Sequence, residues 1–206
     1  MTLRRTTIAA ALAVLAIYGG LILSLGWFLD GAAVRAAVQS ERTLFAVQLS
    51  LAAATLAALL ALLLAAPAAY ALSRYRFRGR ELADTVLEVP MIVSPAALGA
   101  MLLIFFNNPL GAWIQTHAVQ FVFGFAGIVL AQFVTVLGVA VRMLKTAFDE
   151  VPVELETVAR TLGATPRHAW LTVTLPMARR GLIAAFVLAW AKALGDLVGV
   201  TVPLHS

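Results

Sequence analysis

Two charged residues stand four positions apart within an apolar run of this sequence, Lys192 and Asp196. On a helix this spacing places both side chains on one face, where the ammonium can pair with the carboxylate. Charges inside a membrane are rare and usually face a bundle interior or a water-filled path. Two interpretations stay open: a self-neutralising pair that fixes the register of the helix, or a pair along a translocation pathway or gate.

A second candidate is an interruption of another apolar run by Pro90, Ser94 and Pro95. Proline removes a backbone donor and frees carbonyl groups, so broken membrane helices line cavities or gates more often than they face lipid. We predict that these three residues form part of a gate. A simple packing kink is the alternative.

Catalysis by this chain is not expected. A membrane enzyme would need His, Asp or Glu clustered at one membrane depth, and the sequence shows no such cluster. His117, His168 and His205 are scattered and predict no metal site. The G-x-x-x-x-G-K-[ST] loop that cradles phosphates is also missing. We therefore expect no catalytic residue, no metal and no cofactor.

The elements that must position these residues are membrane helices. The 206-residue sequence is 62% hydrophobic and 12% charged, whereas soluble domains carry about 25% charged residues. The net charge of +5 lies in loops beside the apolar runs, which is the positive-inside pattern of membrane proteins and argues against a nucleic-acid partner. Cysteine is absent, which excludes disulfides and thiolate metal sites.

Several apolar runs reach the ~20 residues that a helix needs to cross a bilayer. We expect an all-α polytopic transmembrane helix bundle, one domain over residues 1–206, with about five spans at 7–29, 44–72, 89–106, 121–141 and 181–203. The first run is too long for a signal peptide and has no clear cleavage site. A cytoplasmic N-terminus puts most lysines and arginines on that side and leaves only Arg35 and Arg42 outside.

One cytoplasmic loop, residues 142–180, concentrates the polar residues. Pro152, with carboxylates around it, predicts the first turn of a helix, because proline fits there and negative charge complements the helix dipole. Leu155, Val158, Ala159 and Leu162 recur at helical spacing and predict one apolar face. Gly163 then predicts the end of this helix, since glycine tolerates the left-handed conformation of a chain reversal.

A second short helix is predicted after the reversal. Thr165 and Pro166 have the residue types of an N-cap and a first turn. Leu175 and Pro176 are expected to break this helix just before the chain re-enters the bilayer. The loop is then two short helices beneath the membrane, which either face a soluble partner or rest on lipid as an interfacial hairpin.

The pattern Glu-x-x-Ala-x-x-x-Gly, followed after a spacer by Leu-Pro, resembles the EAA loop of ABC-importer permeases. It is formed here by Glu156, Ala159, Gly163, Leu175 and Pro176. Other segments, in the same order as in the family, resemble its molybdate/tungstate branch, with sulfate permeases as nearest cousins: 66–79, 89–99, 127–132 and 191–196. The resemblance covers about residues 40–200.

This resemblance implies the permease subunit of an ATP-driven importer, carrying molybdate or tungstate across the inner (plasma) membrane of a prokaryote. A homodimer would form the pore, two copies of a cytosolic ATPase would hydrolyse ATP, and a periplasmic or extracellular binding protein would deliver the oxyanion. The implied ATPase-coupling residues are Glu156, Ala159, Arg160, Gly163, Ala164, Leu175 and Pro176. Glu156 is expected to pair with a basic residue of the ATPase, and Glu156→Lys or Gly163→Pro to uncouple it.

Two departures from the family pattern leave alternatives. The family continues with a further loop and a sixth span, so we expect the last span to be absent after Ser206. Asp196 stands where many relatives carry Glu. The alternatives are a sulfate permease, or a non-transporting membrane scaffold or degenerate paralogue that keeps the ATPase-docking loop.

Overall fold

A computed structural model describes residues 2–28, 31, 39–117, 121 and 124–198 of this protein. In these residues the backbone forms helices and turns, without strands. The helices are α1 (Thr2–Phe28), α2 (Glu41–Arg74), α3 (Arg80–Ile92), α4 (Pro95–Phe106), α5 (Pro109–His117), α6 (Phe125–Asp149), α7 (Val153–Thr161), α8 (Pro166–Ala169), a π-helical turn (Trp170–Thr174), α9 (Leu175–Met177) and α10 (Arg179–Val198). The all-α polytopic prediction is confirmed.

The chain divides into two compact units, Met1–Gln48 and Leu49–Ser206. The first unit contains α1, whose segment Arg5–Ser24 is long and apolar enough to cross a membrane. Its large side chains, such as Leu15 and Ile22, are exposed, as expected of a helix that meets lipid. Residue 29, the last of the predicted first span, lies outside the described residues, and so does Arg35. The single-domain organisation stays a prediction.

The second unit is held together by a stripe of small residues. On α2 the fully buried alanines recur every three or four residues and pack in one apolar core with α6 and α10: Ala54, Ala58, Ala61, Ala65 and Ala69. On α10 the stripe is Ala185, Ala189 and Ala193. Small side chains let helix backbones approach closely, which is how membrane helices associate without a hydrophobic driving force between them.

Candidate spans in the described residues number three, or up to five if each bent helix pair counts as one span. Helix α2 covers the predicted second span, and α6 covers the fourth from Phe125 onward. Helix α6 continues to Asp149, so the start of the predicted loop is helical, because Leu144 and Phe148 extend its buried face. Helix α10 begins the fifth span at Arg179, and residues 199–203 lie outside the described residues.

The predicted third span is not one straight helix, because α3 and the segment that follows it are bent by 112°. The expectation that Pro90 breaks the helix was wrong, since α3 continues through it to Ile92. The break lies at Val93 and Ser94, which have extended backbones with ψ of 136° and 150°. Pro95 explains the position, because a proline excludes the α conformation from the residue before it.

Candidate functional site

The chain between α6 and α10 folds into a helical hairpin, residues 153–177, as the loop pattern predicted. Helix α7 starts one residue later than expected: Pro152 has ψ of 130° and stands as its N-cap, not in its first turn. The helix ends at a reversal where Gly163 has φ of +92°. The amide of Ala164 donates to the carbonyl of Ala159 at 3.0 Å. The left-handed glycine is therefore confirmed.

The second arm of the hairpin begins as predicted and ends differently. Thr165 caps α8, and its hydroxyl accepts a hydrogen bond from the amide of His168 at 3.2 Å. The expected break before re-entry into the bilayer is present as a bend of 73°, but its predicted position at Leu175 and Pro176 was wrong, because the helical path continues through α9 and changes at Ala178. The π-helical turn lies just before Pro176. In it the backbone N–H groups donate to the carbonyl five residues back instead of four, at the point where proline has no N–H to donate.

Glu156 is the best-connected polar residue of the hairpin. It is 7% exposed although it lies in the first turn of a short helix. Its Oε1 accepts from Arg74 Nε at 2.8 Å and from Thr174 Oγ1 at 2.6 Å. Its Oε2 accepts from the Tyr70 hydroxyl at 2.7 Å. Glu156 was expected to pair with a basic residue of a partner protein, but it forms its ion pair with Arg74 of the same chain.

The charge state of this carboxyl follows from its neighbours. Burial by itself raises the pKa of Glu156, but hydrogen bonds from Thr174, Tyr70 and Arg74 and the charge of Arg74 outweigh it, so the net pKa lies below its ordinary value. The residue is therefore an ionised carboxylate at neutral pH. A buried charge needs such a set of donors, since desolvation without partners is costly.

Aromatic rings surround the side chain of Tyr70 beside the Glu156 carboxylate. The Tyr70 ring lies 5.6 Å from the Trp170 ring, 5.9 Å from Tyr75 and 6.1 Å from Phe148, centroid to centroid. Two of these rings stand edge-on to Tyr70, an arrangement that aromatic pairs favour. Arg74 also donates from Nη2 to the carbonyl of Val151 at 2.8 Å. The end of α2 is thus joined to the residues just before α7 as well as to α7 itself.

Sequence reasoning missed Tyr70, Arg74 and Thr174 as members of this site. Tyr70 and Arg74 are four positions apart at the end of an apolar run, so they share a helix face. That spacing is a usable signal. Nothing in the local pattern pairs them with Glu156, which lies 82 positions beyond Arg74.

The large apolar residues of α7 and its C-cap residue Leu162 are exposed although Glu156 is buried. Leu155, Val158 and Leu162 are 40%, 56% and 83% exposed. A surface helix normally turns its apolar side inward and its charges outward. Here the carboxylate of Glu156 is inside and the apolar face is uncovered.

The remaining predicted coupling residues lie on or beside this uncovered face. Ala159 and Ala164 are half-buried, and Arg160 is exposed. A shallow hollow beside the reversal is lined by Thr157, Arg160, Thr161, Ala164 and Pro166. The uncovered surface therefore combines apolar side chains with hydrogen-bonding groups.

Within the apolar spans, Lys192 Nζ lies 3.6 Å from Asp196 Oδ2, so the predicted ion pair is confirmed. Sequence reasoning missed Gln132, which is 3% exposed and donates from Nε2 to the carbonyl of Ala193 at 3.0 Å. Its signal was an amide within an apolar run. Ser94 accepts from the amide of Ala97 at 3.3 Å and so caps α4. The pathway and gate roles of these residues stay predictions.

Comparison with known proteins agrees with this architecture. Residues 57–204 match the family described as "Binding-protein-dependent transport system inner membrane component". Over 167 residues the chain is 37% identical to the molybdenum transport system permease protein of Escherichia coli, with 78% of this chain and 71% of the relative covered. It is 38% identical to a probable molybdenum ABC transporter permease protein of Haloferax volcanii (81% and 61% covered) and 29% identical to a molybdate/tungstate transport system permease protein of Pyrococcus abyssi (76% and 59% covered).

Proposed function

The chain belongs to the binding-protein-dependent transport system inner membrane components, and we propose that it forms the membrane pathway for molybdate or tungstate in an ATP-driven importer. The oxyanion is proposed from the relatives named for molybdenum and for molybdate/tungstate transport. A relative from Synechocystis is named for sulfate transport at 34% identity over 137 residues, so sulfate is the second candidate. ATP hydrolysis is assigned to a partner chain.

The observation that carries the proposal is the uncovered apolar face of α7. Leu162 and Val158 are exposed on a hairpin that lies between two membrane-embedded helices. A hairpin resting on lipid would also cover apolar side chains. The same surface, however, presents the exposed guanidinium of Arg160 beside Thr157 and Thr161, and a charged group suits a protein groove better than acyl chains. We therefore propose that a cytosolic ATPase covers this face.

The predicted residues take these roles in the proposal. Ala159, Arg160 and Ala164 meet the ATPase, and Gly163 shapes the reversal between the two arms. Leu175 and Pro176 lie where the hairpin joins α10. Force applied to the hairpin therefore reaches the spans directly, since α6 and α10 continue from its two ends.

The intramembrane residues are assigned to the translocation pathway. Lys192 and Asp196 line it, and the bend at Pro90, Ser94 and Pro95 forms part of a gate. The proposed assembly is a homodimer with two ATPase subunits and an external binding protein, in the inner membrane with the N-terminus in the cytoplasm. Specificity rests mainly with the binding protein, because conduction needs weak contacts with the anion.

Reconstitution tests the proposal. The chain is co-expressed and co-purified with a candidate ABC ATPase from the same organism, placed in liposomes with the binding protein, and supplied with ATP and labelled molybdate, tungstate or sulfate. We expect the ATPase to co-purify, and molybdate or tungstate to accumulate inside and to stimulate hydrolysis. Co-purification without uptake of any of the three anions would instead indicate a non-transporting scaffold. Failure to co-purify would contradict the docking role of the hairpin.

A further inference from the structure

We propose that Glu156 works inside this chain, as the centre of a buried cluster that fastens the hairpin to the C-terminal end of α2. The cluster consists of Tyr70, Arg74, Glu156 and Thr174. Tyr70, Arg74 and Thr174 are positioning residues for Glu156. The inference rests on the proposed transport function, and it assigns to Glu156 a role other than contact with the ATPase.

The first argument is geometric, because one carboxylate joins three separate elements. Tyr70 and Arg74 come from α2, Glu156 from α7, and Thr174 from the π-helical turn. Both carboxylate oxygens accept hydrogen bonds, and Arg74 uses another nitrogen for the carbonyl of Val151. The two arms of the hairpin and the segment that leads into it are therefore held against the same turn of α2.

The second argument is accessibility. The side chains of Arg74 and Glu156 are 7% and 9% exposed. A cytosolic protein that paired with Glu156 would first have to break its hydrogen bonds to Tyr70, Arg74 and Thr174. It would also leave the guanidinium of Arg74 buried without its carboxylate, which is more costly than leaving the internal pair intact. The carboxylate is therefore unavailable to a cytosolic partner as long as the internal pair is intact.

The third argument is the path that force can take. The hairpin is joined covalently to α6 at one end and to α10 at the other. The cluster adds α2, whose alanine stripe, from Ala54 to Ala69, packs in the same core as α6 and α10. A push on the hairpin then moves three packed spans as one body. Without the cluster, the end of α2 could lag behind.

The experiment separates docking from transmission in the reconstituted complex. Arg74→Gln and Glu156→Gln each disrupt the cluster, and Leu162→Ala alters only the exposed face. ATPase affinity, ATP hydrolysis and anion uptake per ATP are measured for each variant. For Arg74→Gln and Glu156→Gln we expect unchanged affinity and continued hydrolysis, with uptake per ATP reduced about tenfold, within the range typical of coupling between two sites. For Leu162→Ala we expect weaker affinity instead.

Two milder variants serve as controls for misfolding. Tyr70→Phe and Thr174→Val each remove one hydrogen bond to Glu156 and keep the shape of the side chain. If Arg74→Gln fails to reach the membrane, the same readouts on these two variants decide the question. We expect them to lower uptake per ATP without lowering ATPase affinity.

A distance measurement tests the rigid attachment directly. The sequence has no cysteine, so spin labels attach only at introduced sites such as Arg76→Cys and His168→Cys, both exposed positions outside the cluster and outside the proposed ATPase contact. We expect a narrow distance distribution that does not change between the nucleotide-free and ATP-bound complex, and broadening in Arg74→Gln.

Three results would overturn the cluster proposal: an ATP-dependent change of this distance in the unmodified cluster, normal uptake per ATP in every cluster variant, or loss of ATPase affinity in Glu156→Gln as large as in Leu162→Ala. Failure of the proposed transport function is a different result. In that case the chain with its native cluster shows no uptake at all.

Discussion

The exposed leucine at the end of α7 gives the most direct quantitative prediction for the hairpin. Leu162 is 83% exposed, so nearly its whole side chain is available for burial by a partner. Burying a leucine side chain completely contributes about 1.5–3 kcal/mol relative to leaving it in water. Truncation to alanine should therefore weaken ATPase docking by about 2 kcal/mol, or roughly 30-fold in Kd, because each ~1.4 kcal/mol is tenfold.

A graded series of substitutions tests this expected loss of ATPase affinity. Val158 is smaller and 56% exposed, so Val158→Ala should cost about 1 kcal/mol per hairpin, or roughly fivefold in Kd. Leu110 on α5 is 75% exposed and lies outside the hairpin. Leu110→Ala removes the same atoms as Leu162→Ala and should leave the ATPase affinity unchanged. The comparison controls for a general loss of stability in the membrane.

The measurement is a titration of the ATPase onto the permease in lipid nanodiscs, read by biolayer interferometry. The order of affinities should be wild type and Leu110→Ala together, then Val158→Ala, then Leu162→Ala. Equal affinities for all four proteins would refute the reasoning, because they would show that the apolar face of α7 remains in water or lipid when the ATPase binds. A loss for Leu110→Ala equal to that for Leu162→Ala would refute the assignment to the hairpin.

Three further predictions concern the hairpin and its attachment. Gly163→Ala should cost about 1–2 kcal/mol in the stability of the reversal, measured by limited proteolysis, because φ is +92° while the added methyl meets open space; Gly163→Pro should cost more. Since the pKa of Glu156 is depressed in the fold, its stabilisation is complete above the ordinary glutamate pKa of ~4.3 and is lost only as pH falls through the lowered value. The protection of hairpin amides, taken as the exchange rate relative to the intrinsic rate at each pH, should fall only in that acid range, and Glu156→Gln should abolish this acid dependence. Gly181→Ala places a methyl on the Cβ of Ala147 and should lower thermal stability by about 1–3 kcal/mol, whereas Gly99→Ala, with free space around it, should not.

Local signals in the sequence were sufficient for the course of the hairpin. Gly163 and the Thr165-Pro166 pair act on their own backbone and nearest neighbours, so their residue types determine the reversal and the second helix start. Pro95 likewise acts on Ser94, and the break between α3 and α4 follows. Pro90 shows the limit of such reasoning, because a helix can tolerate one missing hydrogen bond when its other bonds remain.

Long-range packing was beyond the sequence pattern. The apolar spacing of Leu155, Val158 and Leu162 was recognised, but the pattern does not say whether an apolar face is turned toward its own protein or toward a partner. The apolar face is exposed because Glu156 of the same helix turns inward, where Arg74 supplies the opposite charge from a span distant in sequence. A single sequence offers no local reason for two positions so far apart to meet.

The arrangement of the hairpin assigns its two kinds of side chain to two different tasks. A contact between two separately folded proteins is poorly served by a carboxylate that is already buried in an internal ion pair, because recruiting it would leave a charge without its partner. Apolar contact is less directional and requires no polar group to leave its partner. The hairpin keeps Glu156 paired with Arg74 inside and presents Leu162 outside. A loop built this way can bind a soluble partner through its outer face while its own attachment to α2 stays intact.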